Sequence, residues 1–335
     1  METLRTATEW FRVDSENTAG SVRRAAVRLA DKLGFDESRA AETGLVASEM
    51  TSNVWRHADD GVVAVQIALR SADPGIRIVA IDRGPGRADT RLSATDGHST
   101  RGTLGLGLGA IARMSSSFEV SSQPGHGTVL VAELWSHPGA VPDVDVGGLT
   151  RPIEGEEVCG DVIGAREAHG RQLLMLSDGL GHGPLAADAS IAALAVFHET
   201  ASPDPAAVLA AMDARLSRTR GAAAAVACID PSFSRLTFAG IGNVSAFVDD
   251  GNRRHAAVSQ PGIVGHGAAA AHVVELELPA GAVVVLHSDG LRERWNLRDV
   301  PGLGRRSATV IAATLLRDVG NRPDDASVLV VRRRP

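Results

Sequence analysis

The segment 136–150, SHPGAVPDVDVGGLT, divides the chain into two blocks. It is rich in glycine and proline and has neither helical nor strand periodicity, so we interpret it as a linker. Short apolar runs and helical stretches alternate on both sides of it. At 335 residues the chain is also too long for one typical core. The sequence therefore predicts two mixed α/β (α+β) domains, 1–135 and 151–335, joined by the linker 136–150.

Composition excludes several classes of partner. Hydrophobic residues make up 44% and charged residues 22%, which is typical of globular proteins. The net charge is −6, and no basic run with interleaved aromatic residues stands out. We therefore expect no nucleic-acid partner. Cys159 and Cys228 form no CxxC pair, so zinc is not expected. The N-terminus lacks the layout of a signal peptide and the apolar runs are too short to span a bilayer, so we expect a cytoplasmic protein without a membrane partner.

The chain contains a single lysine, Lys32, in the helical stretch RLADKLGFD. A Walker-type phosphate loop and a eukaryotic-type protein kinase each place a lysine on a nucleotide phosphate. No glycine loop precedes Lys32, so both designs are excluded. A bound nucleotide would have to be held by backbone amides, arginines and magnesium.

Hydrophobic periodicity predicts the main elements of both halves. The first half reads as a strand over 4–13, a helix over 21–33, a helix capped by Asp36 that runs to about Ala58, strands over 62–70 and 76–82, a helix near 109–116, and strands over 118–123 and 127–135. In the second half we predict strands over 172–177, 223–229, 235–240, 244–248, 273–278, 282–287 and 326–332, and helices over 184–199 and 205–219.

Polar residues in the first half suggest a nucleotide site. Glu49 and Asn53 are four residues apart and share a helix face, where they could order a hydroxyl and complete a magnesium shell. For one such pair alone, a solvated polar face is the more common explanation. A strand then runs into Asp82-Arg-Gly84-Pro-Gly86, where a carboxylate can accept from an adenine amine and glycines allow the backbone close to the ring.

A glycine-rich stretch over 97–109 leads into the next helix, whose N-terminal amides could bind an anion. Within it, Gly105, Gly107 and Ala110 match the dinucleotide pattern G-x-G-x-x-A. That pattern belongs directly after the first strand of a βαβ unit. Here a loop precedes it, so the match is weak.

The order of Glu49-x-x-x-Asn53, Asp82-x-Gly-x-Gly86, Gly105-x-Gly-x-Gly109 and Gly127-Thr128 resembles the GHKL ATPases, with their Bergerat α/β sandwich. DGHSTRGTLGLGLGAIARMSSSFEV is similar to the serine kinases of the RsbT type, which phosphorylate anti-sigma-factor antagonists. The resemblance implies binding of ATP and Mg²⁺ over roughly 5–135.

The same resemblance assigns roles to residues. Glu49 would act as general base, Asn53 would hold Mg²⁺, and Asp82 would bind the adenine amine with Thr128 assisting through water. The remaining positions are those near the nucleotide: Gly84 and Gly86 beside the ring, Gly105, Gly107 and Gly109 along the phosphates, and Arg101 on the transferring phosphoryl group.

In the second half, aspartates recur at the ends of apolar strands. Asp161 lies in a strand-like stretch, Asp178 ends LLMLSDG, Asp289 ends VVVLHSDG, and Asp324 precedes the final strand. Each Asp-Gly alone is more often a turn. Four carboxylates without a Cys/His cluster suit hard cations such as Mg²⁺ or Mn²⁺, and a two-metal site could hydrolyse phosphate esters.

SDGLGHG and HSDGL resemble the SpoIIE family of PPM-type serine/threonine phosphatases, over about 152–333, and PIEGEEVCGD and AGIGNVSAF resemble its RsbX type. The resemblance implies an αββα sandwich holding two Mn²⁺ or Mg²⁺ ions. It assigns Asp161, Asp178, Asp289 and Asp324 as ligands, with the carbonyl of Gly179. His182 is a candidate proton donor or a packing residue.

Together the two resemblances imply a bifunctional enzyme. One half would phosphorylate a serine or threonine of a STAS-domain anti-sigma antagonist, and the other would remove phosphate from a protein of the same pathway. A sigma factor or a stressosome-like assembly would be further partners, and a homodimer is compatible. The alternative is an ATP-dependent sensor or anti-sigma module that gates the phosphatase without transferring phosphate.

Overall fold

Two units, residues 8–141 and 142–335, make up the fold of the chain. The computed structural model describes residues 8–58, 60–68, 75–86, 104–137, 143–268, 270–320 and 323–334, with the backbone alone at 104–106. No helix in these ranges is both long enough and apolar enough to cross a membrane.

The N-terminal unit is one antiparallel sheet covered on one face by helices. Its elements are β1 (Glu9–Arg12), α1 (Thr18–Lys32), α2 (Glu37–His57), β2 (Gly61–Ala68), β3 (Gly75–Asp82), α3 (Leu104–Met114), β4 (Ser117–Ser122) and β5 (Thr128–Trp135). The strand order is β1-β2-β3-β5-β4. Every described pair is antiparallel, so the sheet lacks the parallel pairing that a dinucleotide-binding βαβ unit requires.

The helices pack on the sheet through alternating apolar residues. Ile76, Ile78 and Ala80 point to the same side of β3 and form a buried core with Val46 and Met50 of α2. The Asp36 carboxylate accepts a hydrogen bond of 2.7 Å from the backbone N–H of Arg39, which confirms the predicted helix start. The predicted α/β sandwich is therefore the observed one.

The C-terminal unit contains two five-stranded sheets, in the orders β13-β10-β9-β8-β7 and β12-β11-β14-β15-β6. Its elements are β6 (Val144–Arg151), β7 (Asp161–Ala168), β8 (Arg171–Gly179), α4 (Pro184–Glu199), α5 (Pro205–Leu216), β9 (Ala222–Ile229), β10 (Arg235–Ile241), β11 (Ser245–Asp249), β12 (Arg254–Val258), β13 (Val273–Glu277), β14 (Val283–His287), α6 (Ala308–Val319) and β15 (Ala326–Arg333), with short 3₁₀ helices at Leu297–Asp299 and Leu303–Arg305.

Two glycines of β6 reveal the layer order. A Cβ at Gly147 would lie 2.3 Å from the backbone nitrogen of Thr309 in α6, and a Cβ at Gly148 would lie 2.5 Å from Ile163 of β7. Successive residues of a strand face opposite sides. Beyond β7, a Cβ at Gly164 would meet Leu194 of α4 at 2.7 Å. The order helix, sheet, sheet, helix is the predicted αββα sandwich.

The structure corrects the linker prediction. Residues 144–151 form β6, which pairs with β15 along its whole length, so the segment 136–150 is not a linker throughout. Gly147 and Gly148, which suggested a flexible segment, are instead sites where neighbouring layers approach too closely for a side chain. Helix α6 and strand β12 are further elements that the hydrophobic periodicity does not predict.

Candidate functional site

Helix α2 places Glu49 and Asn53 against a glycine of α3. A Cβ built on Gly107 would lie 3.4 Å from Glu49 Oε2 and 3.7 Å from Asn53 Oδ1. The Nδ2 atom of Asn53 is buried and has no hydrogen-bond partner among the described residues. Since buried polar groups are normally paired, this amide, next to a carboxylate and a bare helix surface, fits a polar ligand.

Asp82 organises the far end of the same region. Its Oδ1 accepts hydrogen bonds from the backbone N–H groups of Gly84, at 2.8 Å, and Thr128, at 3.1 Å. Gly86 has a φ of +63°, and a Cβ there would lie 1.9 Å from the carbonyl oxygen of Gln123. Only glycine fits this position, so the ends of β3 and β5 form a fixed backbone frame around Asp82.

Helix α2 connects these two groups of residues. A Cβ on Gly84 would lie 3.4 Å from the carbonyl oxygen of His57. Glu49, Asn53 and His57 follow each other at intervals of four residues and so share one face over roughly 12 Å. The structure thus places Gly107 beside the Glu49/Asn53 pair and the Asp82 frame beside the C-terminal end of the same helix.

Some predicted phosphate contacts remain predictions. Arg101 lies outside the described residues, and Gly105 lies in the first turn of α3, where the backbone alone is described. A Cβ on Gly109 would lie 3.3 Å from Arg113 Nη1, whereas Gly107 faces the Glu49/Asn53 pair. Of the two glycines whose surroundings are described, Gly107 is therefore the one that lies beside that pair.

In the C-terminal unit, the β7–β8 ladder places Asp161 directly opposite Asp178. Burial raises the pKa of the Asp178 carboxyl, and three nearby negative charges raise it further. These charges belong to Asp161, Asp289 and Asp324. The other three predicted ligands therefore lie within electrostatic range of Asp178, and we call the four residues the carboxylate cluster.

Asp161 is the most deeply buried member, with 2% of its surface exposed. Its Oδ2 accepts a hydrogen bond of 2.7 Å from Ser288 Oγ, whereas its buried Oδ1 has no partner among the described residues. Burial raises the pKa of this carboxyl, and the Ser288 hydrogen bond lowers it in part. A buried, unpartnered carboxylate oxygen is costly, so this position fits a bound cation.

The other two members lie on separate loops. Asn243 Nδ2 donates a hydrogen bond of 2.7 Å to Asp289 Oδ2. Burial raises the pKa of Asp324, and the charge of Asp289 also raises it. Both oxygens of the neighbouring Asp325 accept backbone N–H groups, from Ile153 and Gly160, at 2.8 Å each. Both oxygens of Asp325 are thus bonded to the backbone, although its charge still raises the pKa of Asp161. Asp324 lies within electrostatic range of Asp178 and Asp289.

The cluster is open rather than a closed cage. No three carboxylate, imidazole or thiol groups of the described chain converge on a single point as a metal-ligand set. Mg²⁺ typically keeps several waters and takes only one or two carboxylates from the protein. The donor set therefore fits hydrated hard cations better than zinc. A Cβ on Gly179, the predicted carbonyl ligand, would lie 2.0 Å from the Ala186 carbonyl oxygen, so the chain needs glycine there.

His182 lies in the turn between β8 and α4, and its side chain is 58% exposed. Its Nδ1 lies 2.8 Å from Glu156 Oε1. The imidazole is also close enough to Asp324 to lower the pKa of that carboxyl against the raising effect of burial. His182 therefore stands at the rim of the carboxylate cluster.

Four supporting residues are absent from the sequence prediction: Ser288, Asn243, Asp325 and Glu156. Ser288 is the serine of HSDGL, and its N–H bonds the Ser327 carbonyl oxygen at 3.1 Å while its Oγ accepts from Ser327 N–H at 3.0 Å. Asn243 belongs to AGIGNVSAF. Both lie in motifs that the sequence makes visible, but motif spacing alone could not identify the ligand that each one orients.

The two sites define a protein that combines an ATPase-type α/β domain with a phosphatase-type αββα domain. Residues 11–133 match the family described as "Histidine kinase-like ATPase domain", and residues 168–334 match "Stage II sporulation protein E (SpoIIE)". The serine/threonine-protein kinase RsbT of Bacillus subtilis (strain 168) is 32% identical over 132 residues, which are 39% of this chain and 94% of the kinase.

Two solved structures support the architecture. One, described as "The bacterial stressosome: a modular system that has been adapted to control secondary messenger signaling", is 28% identical with a TM-score of 0.53 and covers 57% of this chain and 100% of its own. The other is RsbX in complex with magnesium, at 19% identity and a TM-score of 0.51, covering 64% and 99%, and it supports the fold alone.

The chain therefore belongs to the RsbT serine/threonine-protein kinase family through its N-terminal unit, and its C-terminal unit is a SpoIIE-type (PPM) phosphatase domain. It is an enzyme of the protein phosphatase class that also carries an ATP-binding, kinase-type domain.

Proposed function

We propose that this enzyme adds phosphate to, and removes phosphate from, proteins of one signalling pathway. The N-terminal unit would phosphorylate a serine or threonine of a STAS-domain anti-sigma antagonist, and the C-terminal unit would dephosphorylate a protein of that pathway. One observation carries the proposal: each unit brings a set of polar side chains together. In the N-terminal unit the Glu49/Asn53 pair faces Gly107, and in the C-terminal unit the carboxylate cluster includes the buried Asp161. The similarity to RsbT and to a stressosome structure supports the class of partner.

In the kinase-type site, Glu49 would accept the proton of the attacking hydroxyl, and Asn53 would complete the shell of Mg²⁺. Asp82 would accept from the adenine amine, held in place by the N–H groups of Gly84 and Thr128. Since Lys32 is the only lysine, phosphate charge would be offset by magnesium, the amides of α3 and Arg101 in place of an ammonium group.

In the phosphatase site, Asp161, Asp178, Asp289 and Asp324, with the Gly179 carbonyl, would hold two Mg²⁺ or Mn²⁺ ions. Divalent cations at such a site supply a nucleophilic water at neutral pH and offset charge on the phosphoryl group. Ser288 orients Asp161, and Asn243 orients Asp289. The first shell would thus be positioned by hydrogen bonds from the protein.

If both units acted on the same residue at once, the result would be net hydrolysis of ATP. We therefore expect the two activities to address different residues or to be under reciprocal control. A sigma factor or a homodimer would add a further partner to this scheme.

The test is phosphotransfer from radiolabelled ATP to a purified STAS-domain protein in Mg²⁺ and Mn²⁺. Wild type, Glu49→Ala and Asp289→Ala are compared, with Glu49→Gln as the conservative match. We expect label on the partner with wild type or, more strongly, with Asp289→Ala, and none with either Glu49 variant. In the reverse direction, Glu49→Ala should still release phosphate from a phosphorylated partner, and Asp289→Ala should not.

Absence of label with both wild type and Asp289→Ala would contradict the kinase half. If the same preparations bind ATP and the nucleotide changes the rate of phosphate release, the N-terminal unit is a sensor that gates the phosphatase. Isothermal titration with ATP, carried out on the same samples, separates these two results.

A further inference from the structure

Glu156 holds the side chain of His182 at the rim of the carboxylate cluster. The Nδ1 atom of His182 lies 2.8 Å from Glu156 Oε1. The flanking glycines, Gly181 and Gly183, have φ values of +89° and +74°. A Cβ on Gly183 would lie 3.1 Å from Glu156 Oε2, so the second carboxylate oxygen packs along the same turn. The carboxylate therefore contacts both the imidazole and the backbone that carries it.

The loop that bears Glu156 is itself fixed at both ends. Asp325 accepts the N–H of Ile153 with one oxygen and the N–H of Gly160 with the other, at 2.8 Å each. Within the loop, the N–H of Glu156 donates to the Ile153 carbonyl oxygen at 3.1 Å. Because Asp325 follows Asp324 in the chain, one residue pair joins the carboxylate cluster to the loop that orients His182.

We propose that Glu156 is a positioning residue that presents His182 as the proton donor to the departing serine or threonine oxygen. The inference deepens the proposed phosphatase function and rests on it. A carboxylate that accepts from Nδ1–H fixes the ring orientation and its tautomer, which leaves Nε2 for the substrate. A ring that donates from Nε2 carries protons on both nitrogens, and the Glu156 carboxylate faces the positive charge of that ring at 2.8 Å.

The step balances with water as the second reactant. The oxygen of water forms a bond to phosphorus, the bond from phosphorus to the serine oxygen breaks, and its electron pair stays on that oxygen. The Nε2 proton of His182 moves to the serine oxygen, so the products are serine hydroxyl and inorganic phosphate. One proton of the attacking water returns to the imidazole through solvent.

The nature of the leaving group tests this role. An alkyl oxygen needs a proton as it departs, whereas p-nitrophenolate leaves as a stable anion. With saturating Mn²⁺, we expect Glu156→Gln to lower kcat on a phosphoserine peptide roughly 10- to 100-fold and kcat on p-nitrophenyl phosphate less than about 3-fold. The double variant Glu156→Gln/His182→Gln should be no slower than His182→Gln alone, because the two residues act as a unit.

The matched control is Glu157→Gln, which removes the same charge from the adjacent, exposed position of the loop. We expect it to leave kcat on both substrates within about 2-fold of wild type, since the charge of an exposed side chain is largely screened by solvent.

A second measurement needs neither metal nor turnover. In ¹H–¹⁵N NMR spectra of the metal-free full chain, the neutral His182 ring should be protonated on Nδ1 in wild type and shift to Nε2 in Glu156→Ala. Equal loss on both substrates, or no loss on either, together with an unchanged tautomer would overturn the positioning role. A wild type that hydrolyses neither substrate contradicts the phosphatase proposal instead, while the NMR result still decides the Glu156 contact.

Discussion

Asp161 and Asp178 stand opposite each other in the β7–β8 ladder, with Asp161 at the first position of β7. Two carboxylates paired across strands repel when both are ionised, and burial adds to the cost. The arrangement is therefore least stable when no cation is bound and the pH is high. This dependence on pH and metal gives the first prediction.

Without metal, the protein should lose stability as pH rises from about 4 to about 8. Burial raises the pKa of Asp161 from its ordinary 3.8 to about 7, and the pKa of Asp178 is raised as well. A carboxyl with a raised pKa in the fold stabilises it fully below the unfolded pKa and loses that contribution as pH rises through the folded pKa. The shift of Asp161 alone corresponds to a loss on the order of 4 kcal/mol, since one pKa unit corresponds to ~1.4 kcal/mol. Melting curves in EDTA across this range measure it.

Saturating Mn²⁺ should restore the melting temperature, and by more at pH 8 than at pH 5, because the ion binds the ionised carboxylates. Asp178→Asn is the control, since it removes one charge of the pair. Its melting temperature in EDTA should depend less on pH, and its response to Mn²⁺ should be small. A wild-type melting temperature in EDTA that stays level over this range contradicts the prediction.

Asp324 and Asp325 should behave differently although they are adjacent. Asp325→Ala leaves the N–H groups of Ile153 and Gly160 without their acceptor and should cost about 2–4 kcal/mol. Asp324→Asn should fold normally but respond weakly to Mn²⁺. Urea unfolding with and without Mn²⁺ measures both effects. The reverse pattern would assign the ligand role to Asp325.

Gly107→Ala should weaken ATP binding without harming the fold. The new methyl group would lie 3.4 Å from Glu49 Oε2, which is ordinary contact, but it would occupy the space that the pair shares with α3. Alanine also favours a helix interior over glycine by ~1 kcal/mol, so stability should hold or rise. Titration calorimetry should give a Kd for ATP that is at least roughly 10-fold higher, which corresponds to a loss of about 1.4 kcal/mol in binding free energy.

Gly109→Ala is the matched variant on the same helix. Its Cβ would meet the flexible end of Arg113 at 3.3 Å rather than Glu49 or Asn53. It gains the same helix propensity, so ATP affinity should change by less than about 3-fold. Equal weakening in both variants would indicate an effect on α3 as a whole and would contradict a specific role of Gly107.

Much of the fold could be predicted because strand and helix periodicity carry it. β3 and β8 read as apolar runs that end in aspartate, and the structure has them at Gly75–Asp82 and Arg171–Gly179. Periodicity does not show which strands pair, so it could not predict that Asp161 lies opposite Asp178. A strand end can be predicted from local sequence, but the register between strands depends on tertiary packing.

The supporting contacts could not be predicted, because they join residues that are far apart in the chain. Ser288 contacts Asp161 from 127 positions away, and Asp325 holds Gly160 from 165 positions away. The pair Asp324-Asp325 shows the limit clearly: both are aspartates in one turn, and only the positions of backbone N–H groups distinguish them.

The last prediction concerns strand β6, where the glycines suggested a linker and the structure has a paired strand. A Cβ at Gly147 would lie 2.3 Å from the backbone nitrogen of Thr309, and backbone cannot turn aside as a side chain can. Gly147→Ala should therefore push α6 away from the sheet and cost about 3 kcal/mol or more. Gly304→Ala is the control, since a Cβ there meets nothing within 4 Å. The free energies of unfolding of the two variants, measured in urea, should differ by at least about 2 kcal/mol. Equal values would mean that β6 packs less closely against α6 than in this structure.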